Sequence, residues 1–270
     1  MKVLITGNRG FIGSYLEKTL SSSYETIGLS RADGYDITNF ETLMKLEENI
    51  DTIIHAAAVA TNDYELAFQN NVVGTLNICR YAKESGVKRV ILLSTIFAID
   101  EEDNGYFNSY GKTKKVSEEL AKEYCRENGI ELTILKLAQV YDDARVAQKG
   151  QAMLYYFIDA INKESKINLF GKTNPLRNYI HIEYLCRVVN EVLEENKIGT
   201  WSVVEQKNHT ISEIAYMLFD ILNKKPNISY FTDKPDIPSV HIPTNDTYKS
   251  DKILSIPLIE GMKRILNYDK

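Results

Sequence analysis

The sequence of 270 residues has few of the features that mark secreted, metal-binding or membrane-spanning proteins. Its three cysteines, Cys79, Cys125 and Cys186, are widely scattered, so they form neither a metal-binding spacing nor a disulfide framework. The best candidate for a membrane span, I-I-H-A-A-A-V-A at 53–60, is far too short to cross a bilayer. The N-terminus runs directly into a strand pattern, which argues against a cleavable signal peptide. We therefore expect a cytoplasmic protein with reduced thiols and no membrane partner.

Positive charge is not in excess either. The chain has 32 lysines and arginines against 37 aspartates and glutamates, which gives a formal net charge of -5. This balance provides no basic surface for binding nucleic acid, so we expect no nucleic-acid partner. The length allows one large α/β domain or one domain with a smaller companion.

Proline is absent from the first 174 residues, and all six prolines lie between 175 and 257. In the proline-free part, short apolar runs alternate with amphipathic stretches, which predicts an α/β fold with a doubly wound parallel (Rossmann) sheet. The predicted strands are 2–6, 25–29, 51–57, 89–94 and 131–137. The predicted helices are 11–20, 39–48 starting behind Thr38, 63–84, 109–127, 150–163, 183–196, 211–224 and a last one from about 258.

The proline-containing half is less regular, and we interpret part of it as a smaller substrate-binding cap. The dinucleotide-binding domain is predicted to comprise 1–140 and 176–201. The cap is predicted to be discontinuous and to comprise 141–175 and 202–270.

Three glycines, Gly7, Gly10 and Gly13, follow the first predicted strand and open the first predicted helix in T-G-N-R-G-F-I-G. Gly7 can make the tight turn, Gly10 allows a pyrophosphate to approach the backbone, and Gly13 allows helix and strand to pack closely. A purely structural turn is the competing interpretation. The position at a strand–helix junction favours a dinucleotide site at the helix N-terminus.

The end of the second strand bears on which dinucleotide binds. Ser30 and Arg31 lie there, and Arg9 lies in the glycine loop, so two guanidiniums and a hydroxyl could hold the 2′-phosphate of NADP. Asp33 is close enough to favour NAD by binding ribose hydroxyls instead. On this evidence we favour NADP(H) and keep NAD(H) as possible.

A tyrosine and a lysine four residues apart, Tyr110 and Lys114, lie on the predicted helix 109–127 and therefore face the same way. The same spacing occurs twice in the loop-rich C-terminal part, at Tyr230 with Lys234 and at Tyr248 with Lys252. Those two pairs have no glycine loop or strand end nearby, so we interpret them as chance spacings.

Seven motifs in order resemble the extended short-chain dehydrogenase/reductase family of nucleotide-sugar epimerases, dehydratases and reductases. They are T-G-x-x-G-F-I-G with Phe11 and Ile12, the pair Asp36–Ile37, the segment His55 to Ala58 with Ala56 and Ala57, N-V-V-G-T from Asn71, the pair Ser94–Thr95, Y-G-K-T-K-K-V-S-E from Tyr110, and R-N-Y-I-H-I-E from Arg177. The resemblance covers most of the chain and implies a homodimer formed through helices 63–84 and 109–127.

The resemblance also implies roles for individual residues. Tyr110 would be the general acid/base, Lys114 would lower its pKa and hold the nicotinamide ribose, and Thr95 would orient the substrate oxygen, with Ser94 as a rival. Substrate contacts would come from Ser94, Thr95, Gln139 and Arg177, of which Arg177 would bind the diphosphate of a nucleotide sugar. No metal is expected, and His55 and His181 are expected to be structural. The cofactor would be held by Gly7, Arg9, Gly10, Phe11, Ile12, Gly13, Ser30, Arg31, Asp36, Ile37, Ala56, Ala57, Ala58, Asn71, Tyr110 and Lys114.

Departures from the family pattern bear on the reaction. Thr95 is followed by Ile96 and Phe97 where dehydratases carry carboxylates, which argues against dehydration. The short passage from Arg31 to Asp36 resembles the deoxysugar 4-ketoreductases such as dTDP-4-dehydrorhamnose reductase. We therefore expect an NADP(H)-dependent reductase of a 4-keto nucleotide sugar. The alternatives are a nucleotide-sugar 4-epimerase with tightly bound NAD and a non-catalytic dinucleotide sensor.

Overall fold

A parallel six-stranded sheet forms the centre of the protein in the computed structural model, which describes residues 1–46, 49–99, 105–163, 166–240 and 246–268. The strands are β1 (Lys2–Thr6), β2 (Glu25–Leu29), β3 (Thr52–His55), β4 (Arg89–Thr95), β5 (Glu131–Leu137), β6 (Gln139–Tyr141), β7 (Ile167–Phe170), β8 (Leu176–Arg177), β9 (Tyr179–His181), β10 (Gly199–Val203), β11 (His209–Thr210) and β12 (Ile228–Phe231). All residues of β3 and β4 are buried, as expected for strands that helices cover on both faces. The predicted α/β fold with a doubly wound parallel sheet is confirmed.

The helices are α1 (Phe11–Leu20), α2 (Phe40–Leu43), α3 (Tyr64–Ala67), α4 (Gly74–Glu84), α5 (Ser109–Glu127), α6 (Ala152–Asn162), α7 (Ile182–Glu194), α8 (Ile211–Ile221) and α9 (Leu258–Tyr268). The bounds of α1 and α5 coincide with the predicted ones, and α6 to α9 differ from theirs by a few residues. None of the described helices is long and apolar enough to cross a membrane.

The predicted helix 39–48 is wrong in length, because α2 ends at Leu43. Thr38 does not cap it, since its backbone N–H and its hydroxyl both donate to Asp36 Oδ1 at 2.9 Å. Asn39 caps α2 instead, accepting from the Glu41 N–H at 3.1 Å. The last two residues of the predicted helix, at 47 and 48, lie outside the described residues.

The predicted helical segment 63–84 is confirmed from Tyr64 onward, with a π-helical turn, Phe68–Val73, between α3 and α4. The main-chain carbonyl of Asn71 accepts from the hydroxyls of Thr75 and Ser117, each at 2.6 Å. These hydroxyls compete with the backbone N–H groups that a regular α-helix would use. The wide turn places Asn71 next to the loop that follows β3.

The order of the strands in the large sheet is β10-β5-β4-β3-β1-β2. The chain leaves β1 for β2 on one side and later returns to β3 on the other, so the strand order reverses between β1 and β3. Ligands of open α/β sheets bind in the crevice outside the carboxyl ends of the strands at such a point. The segments that follow β1 and β3 therefore define the position of the site.

A second hydrophobic core lies in the C-terminal half, between α6, α8 and α9 and beside strand β7. The remaining described strands form short two-stranded sheets, β6 with β9, β7 with β12 and β8 with β11. The predicted division into two discontinuous domains remains a prediction. Strand β10 of the large sheet extends to Val203, two residues beyond the predicted boundary at 201.

The three cysteines are free thiols and all are buried. Cys79 on α4 and Cys125 on α5 face each other, with their sulfur atoms 3.8 Å apart. Cys186 lies on α7. The pair of thiols thus forms part of the packing between α4 and α5.

Candidate active site

The turn after β1 brings the backbone of the glycine loop against the segment that follows β3. Gly7 has a φ of 69°, a conformation that side chains disfavour. A Cβ atom on Gly7 would lie 2.8 Å from the Cα of Ala57, and one on Gly13 would lie 2.2 Å from the carbonyl oxygen of Gly7. Helix α1 begins behind Gly10 without a side-chain cap. Its first N–H groups therefore remain available to an anion.

A cavity of ≈ 280 Å³ opens over this turn. Ten of the residues predicted to bind the cofactor line it, namely Gly7, Arg9, Gly10, Ser30, Arg31, Asp36, Ile37, Ala56, Ala57 and Ala58. Phe11 and Ile12 line the neighbouring cavity instead, and Gly13 is a packing contact. The amide of Asn71 accepts from Val59 N–H at 2.8 Å and donates to its carbonyl at 3.0 Å. Asn71 thus holds the loop after β3, and the neighbouring Asn70 lines the cavity.

Two of the three groups predicted to hold a 2′-phosphate, Arg9 and Ser30, are engaged with the carboxylate of Asp33. The Arg9 guanidinium forms an ion pair with Asp33, and its Nε donates to Asp33 Oδ2 at 3.1 Å. The hydroxyl of Ser30 donates to the same oxygen at 2.6 Å. The Arg9 and Ser30 hydrogen bonds hold the pKa of Asp33 below its usual value. In this structure Arg9 and Ser30 thus contact Asp33, and their role as phosphate ligands remains a prediction.

The carboxylate of Asp36 and the chain around Ile37 form the far wall of this cavity. Asp36 Oδ1 accepts from Thr38, as described above, and the carbonyl of Ile37 accepts from Asn77 Nδ2 at 2.9 Å. A Cβ on Gly74 would lie 2.6 Å from Ile37 Cδ1, so α4 packs closely against this wall. The Asp36–Ile37 pair is therefore fixed by contacts to two other elements.

A larger cavity of ≈ 680 Å³ adjoins the first and shares Ala56 and Ala58 with it. Thr95 and Tyr110, the predicted catalytic residues, both line it. Tyr110 is the second residue of α5, and its N–H donates to the capping side chain of Asn108 at 3.1 Å. A Cβ on Gly111 would lie 2.3 Å from the carbonyl oxygen of Phe97. Gly111 therefore allows the start of α5 to approach the segment that follows Thr95.

The ammonium group of Lys114 contacts the main chain of β4 in this structure. Its Nζ donates to the carbonyl oxygen of Leu93 at 2.8 Å, and the residue is only 1% exposed. Burial lowers the pKa of Lys114 to about 8. Burial also raises the pKa of Tyr110 to about 12. The lowering of the Tyr110 pKa by Lys114 therefore remains a prediction.

The structure distinguishes Thr95 from its rival Ser94. The hydroxyl of Ser94 donates to Glu118 Oε1 at 2.5 Å, and Lys136 forms an ion pair with Glu118 at 3.3 Å. This hydrogen bond joins Ser94 to helix α5, on which Glu118 lies. Thr95 Oγ1 accepts from the Phe97 N–H at 3.2 Å, which leaves its own proton available for a ligand.

Two predicted substrate residues lie on the other side of the larger cavity. Gln139 Nε2 donates to Gln151 Oε1 at 3.1 Å, while its Oε1 is buried and has no partner in the described part of the chain. Arg177 on β8 is 4% exposed, and its Nη1 donates to the carbonyl oxygens of Leu176 at 2.7 Å and Pro238 at 2.9 Å. Arg177 is the only charged side chain among the described residues that line this cavity.

Both family histidines are held by hydrogen bonds. The ring nitrogens of His55 contact the hydroxyls of Thr6 at 2.7 Å and Thr75 at 3.1 Å. Burial lowers the pKa of His55 to about 3, so the ring is neutral. His181 Nε2 lies 3.0 Å from Asp143, and its Nδ1 accepts from an N–H at the start of α7.

Several lining residues were missed by the sequence analysis. Phe97, Tyr106 and Asn108 lie beside predicted residues, and the short distance from Thr95 or Tyr110 in the sequence could have indicated them. Met153, Tyr179 and Ile237 also line the cavity. Ile237 comes from the proline-rich part, where no pattern indicated a site. The described residues contain no cluster of three or more histidine, cysteine or acidic side chains that could hold a metal ion.

The other tyrosine–lysine spacings lie apart from these cavities. Tyr230 is an exposed residue of β12. Tyr248 is buried, and its hydroxyl donates to Glu191 at 3.0 Å and accepts from Lys197 at 3.1 Å. Lys252 pairs with Glu195. None of these residues lines the two cavities that contain the predicted sites.

Comparison with known proteins gives a family match over residues 3–203, to the family described as "NAD dependent epimerase/dehydratase family". A putative UDP-glucose 4-epimerase of Methanocaldococcus jannaschii is 28% identical over 311 residues, covering 99% of this chain and 98% of that protein. UDP-glucuronic acid decarboxylase 1 of Danio rerio is 22% identical, covering 99% of this chain and 72% of that protein.

Among solved structures, the UDP-glucose 4-epimerase of Thermus thermophilus in complex with NAD superimposes with a TM-score of 0.78. It is 21% identical, and the match covers 99% of this chain and 98% of that one. At 21% identity, this structural likeness supports the fold alone. The more specific resemblance to the 4-ketoreductases, which rested on the short passage from Arg31 to Asp36, is not supported by these relatives.

Proposed function

The chain is an enzyme of the NAD-dependent epimerase/dehydratase family, and we propose that it is a nucleotide-sugar 4-epimerase that uses bound NAD. The observation that carries the proposal is the joining of the two cavities. Tyr110 and Thr95 line the larger cavity beside Ala56 and Ala58, which form part of the wall of the smaller one. A sugar in the larger cavity would therefore lie next to a dinucleotide in the smaller one.

The residues of the smaller cavity fit NAD. The uncapped N-terminus of α1 and the close glycine turn suit a pyrophosphate. Asp33 does not line the cavity itself but is bonded to two residues that do, Arg9 and Ser30, and its carboxylate suits ribose hydroxyls. Arg9 and Ser30 would hold the carboxylate of Asp33 in place. When bound, NAD supplies a hydride acceptor that afterwards acts as a donor.

Tyr110 would act on the hydroxyl at carbon 4 of the sugar. Its phenolate would take the hydroxyl proton, and the phenol would later return a proton to the carbonyl oxygen. Thr95, whose own proton is available, would donate a hydrogen bond to the same oxygen and fix its position. Epimerisation also requires the keto sugar to present its other face, and the larger cavity of ≈ 680 Å³ has room for such a rotation.

The pKa of Tyr110 bears on the protonation step. Burial raises it to about 12, so the tyrosine of the protein alone is a neutral phenol at neutral pH. A positive charge close to the phenol favours the phenolate and lowers the pKa. The oxidised nicotinamide ring carries such a charge, so we expect Tyr110 to become an effective base only in the NAD-bound enzyme.

The substrate side supports a nucleoside diphosphate. Arg177 provides the positive charge of the larger cavity, and Gln139 provides a buried carbonyl oxygen that lacks a donor. A phosphate oxygen suits the first group and a hydroxyl suits the second. The names of the relatives point to UDP as the nucleotide, and we propose UDP-hexoses as substrates.

An NADP(H)-dependent reductase remains the second candidate that the sequence allows, but its main support is lost. Arg9 and Ser30 are bonded to Asp33 and would have to leave it before they could hold a 2′-phosphate. The relatives reported above are epimerases and decarboxylases. A non-catalytic sensor would not need Tyr110 and Thr95 in the same cavity. Their arrangement therefore gives that alternative no support.

A homodimer is also proposed. Exposed apolar side chains lie on the helices that the resemblance assigns to a dimer, namely Tyr64, Leu66, Phe68, Val116 and Leu120. A second copy that covers them would remove this apolar surface from water.

The test is incubation of the purified enzyme with UDP-galactose, without added reductant, followed by separation of the nucleotide sugars. A 4-epimerase converts it to UDP-glucose until both are at equilibrium, with no net change in NADH absorbance. Conversion that appears only with a stoichiometric supply of NADPH and a 4-keto sugar would overturn the proposal in favour of a reductase.

A further inference from the structure

Arg177 is fixed along one edge of its guanidinium. Nη1 donates to two main-chain carbonyl oxygens, those of Leu176 and Pro238. In the described part of the chain, Nε and Nη2 have no acceptor, and the side chain lines the larger cavity. The Nε–Nη2 edge is the one that can donate two parallel hydrogen bonds to a phosphate or carboxylate.

An aromatic platform, made of Phe97 and Tyr106, supports the face of the same guanidinium. The Tyr106 ring centroid lies 5.5 Å from the guanidinium carbon of Arg177. Phe97 stacks on Tyr106 with ring centroids 4.7 Å apart and an interplanar angle of 17°. Both rings line the larger cavity, and both are partly buried.

We propose that Tyr106, supported by Phe97, is a positioning residue that holds Arg177 with its Nε–Nη2 edge toward the diphosphate of the substrate. This inference rests on the proposed function, because it takes the ligand to be a nucleoside diphosphate. Two carbonyls on one edge and a ring on one face leave the guanidinium little freedom to rotate. A guanidinium fixed before binding loses less conformational entropy when it meets the phosphates.

The platform also connects substrate binding with the catalytic residues. Phe97 follows Thr95 by two residues, and Tyr106 precedes Tyr110 by four. The segments that carry the two catalytic side chains thus supply the rings that orient Arg177. Loss of the platform should weaken diphosphate binding and raise KM while leaving kcat nearly unchanged.

The experiment measures, by calorimetry on the NAD-saturated enzyme, the binding of UDP and of uridine to four proteins. They are the wild type, Tyr106→Leu, Tyr106→Phe and Phe107→Leu. Tyr106→Phe keeps the ring but removes the hydroxyl. Phe107→Leu is the matched control, because Lys112 lies over the neighbouring Phe107 ring at 5.8 Å, outside the residues that line the cavity.

We expect Tyr106→Leu to weaken UDP binding about tenfold, as is typical for loss of an oriented charged contact. Uridine binding should be unchanged in all variants, and Tyr106→Phe and Phe107→Leu should bind UDP within about twofold of the wild type. If Tyr106→Leu lost equal affinity for UDP and uridine, or lost no affinity for UDP, the inference about Tyr106 would be overturned and the proposed function would stand. If the wild type binds none of UDP, dTDP, GDP and ADP, the proposed function fails together with it.

Discussion

The two halves of the crevice are built in different ways. The dinucleotide half is formed by the glycine turn, the segments after β2 and β3 and Asn70, all within the first 70 residues. The substrate half is made mainly of side chains from segments that are far apart in sequence, between Phe11 and Ile237. The dinucleotide half depends on a few glycines and alanines, whereas the substrate half depends on many separate packing contacts. Substitutions should therefore affect the two halves through different measurable quantities.

Removal of the Tyr110 hydroxyl should affect chemistry alone. We expect Tyr110→Phe to lower kcat by about 10² to 10⁴-fold, because a general acid/base contributes on that order. The Kd for NAD should stay unchanged, since the cofactor half is formed elsewhere. Steady-state kinetics measure kcat, and titration of the protein fluorescence with NAD measures the Kd. Full activity in Tyr110→Phe would remove Tyr110 from the mechanism.

A methyl group in the glycine turn should affect the other half. Gly7→Ala places a Cβ 2.8 Å from the Ala57 backbone at a positive φ, so we expect the Kd for NAD to rise at least about tenfold. Gly86→Ala is the matched control, because Gly86 has a φ of 72° but open space around it. That variant should lose only about 1 kcal/mol of stability and keep its NAD affinity. Equal effects of both on NAD binding would contradict the role of the close turn.

Cofactor choice is expected to depend on one carboxylate. Asp33→Asn removes the charge that pairs with Arg9, and should lower NADH affinity about fivefold to tenfold while raising NADPH affinity. The guanidinium of Arg9 would then be available to a 2′-phosphate. Parallel titrations with NADH and NADPH measure the ratio. An unchanged ratio would show that Asp33 does not discriminate between the cofactors.

The last prediction concerns the stability of the fold at His55, which lies at the end of β3. Its pKa is about 3 in the folded protein against 6.5 for the free side chain, so its neutral form is favoured by folding. This stabilisation is complete above pH 6.5 and is lost as the pH falls toward 3. Between pH 7 and 5 the free energy of unfolding should fall by about 2 kcal/mol from this group. His55→Gln should lose that part of the pH dependence in urea unfolding, and an unchanged slope would contradict the assignment.

Ten of the residues predicted to bind the cofactor line one cavity, and local patterns in the sequence indicated them. Three glycines at a strand–helix junction, the alternation of strands and helices, and the Tyr110–Lys114 spacing are all short-range signals. The contacts of Arg9 were harder to predict, because its partner Asp33 lies 24 residues away and would compete with a bound phosphate for the same guanidinium. Likewise, the direction of the Lys114 ammonium depends on the main chain of β4, which no spacing within α5 indicates.

The substrate half could be predicted only in part. Thr95, Gln139 and Arg177 came from family motifs, and all three line the larger cavity. Tyr106 and Ile237 were missed, because their role depends on how the start of α5 and the proline-rich segment fold over Arg177. The π-helical turn within the helical segment 63–84 also involves a tertiary contact, the hydroxyl of Ser117 on the carbonyl of Asn71. Such contacts between distant residues leave no periodic pattern in the sequence.

The epimerase account depends above all on a cofactor that stays bound from one turnover to the next. The decisive measurement is to denature the freshly purified protein and identify and count the released nucleotide by mass spectrometry. The account predicts NAD or NADH at close to one molecule per chain. A protein that is largely empty, and that binds NADPH more tightly than NADH when titrated, would contradict it and favour the reductase.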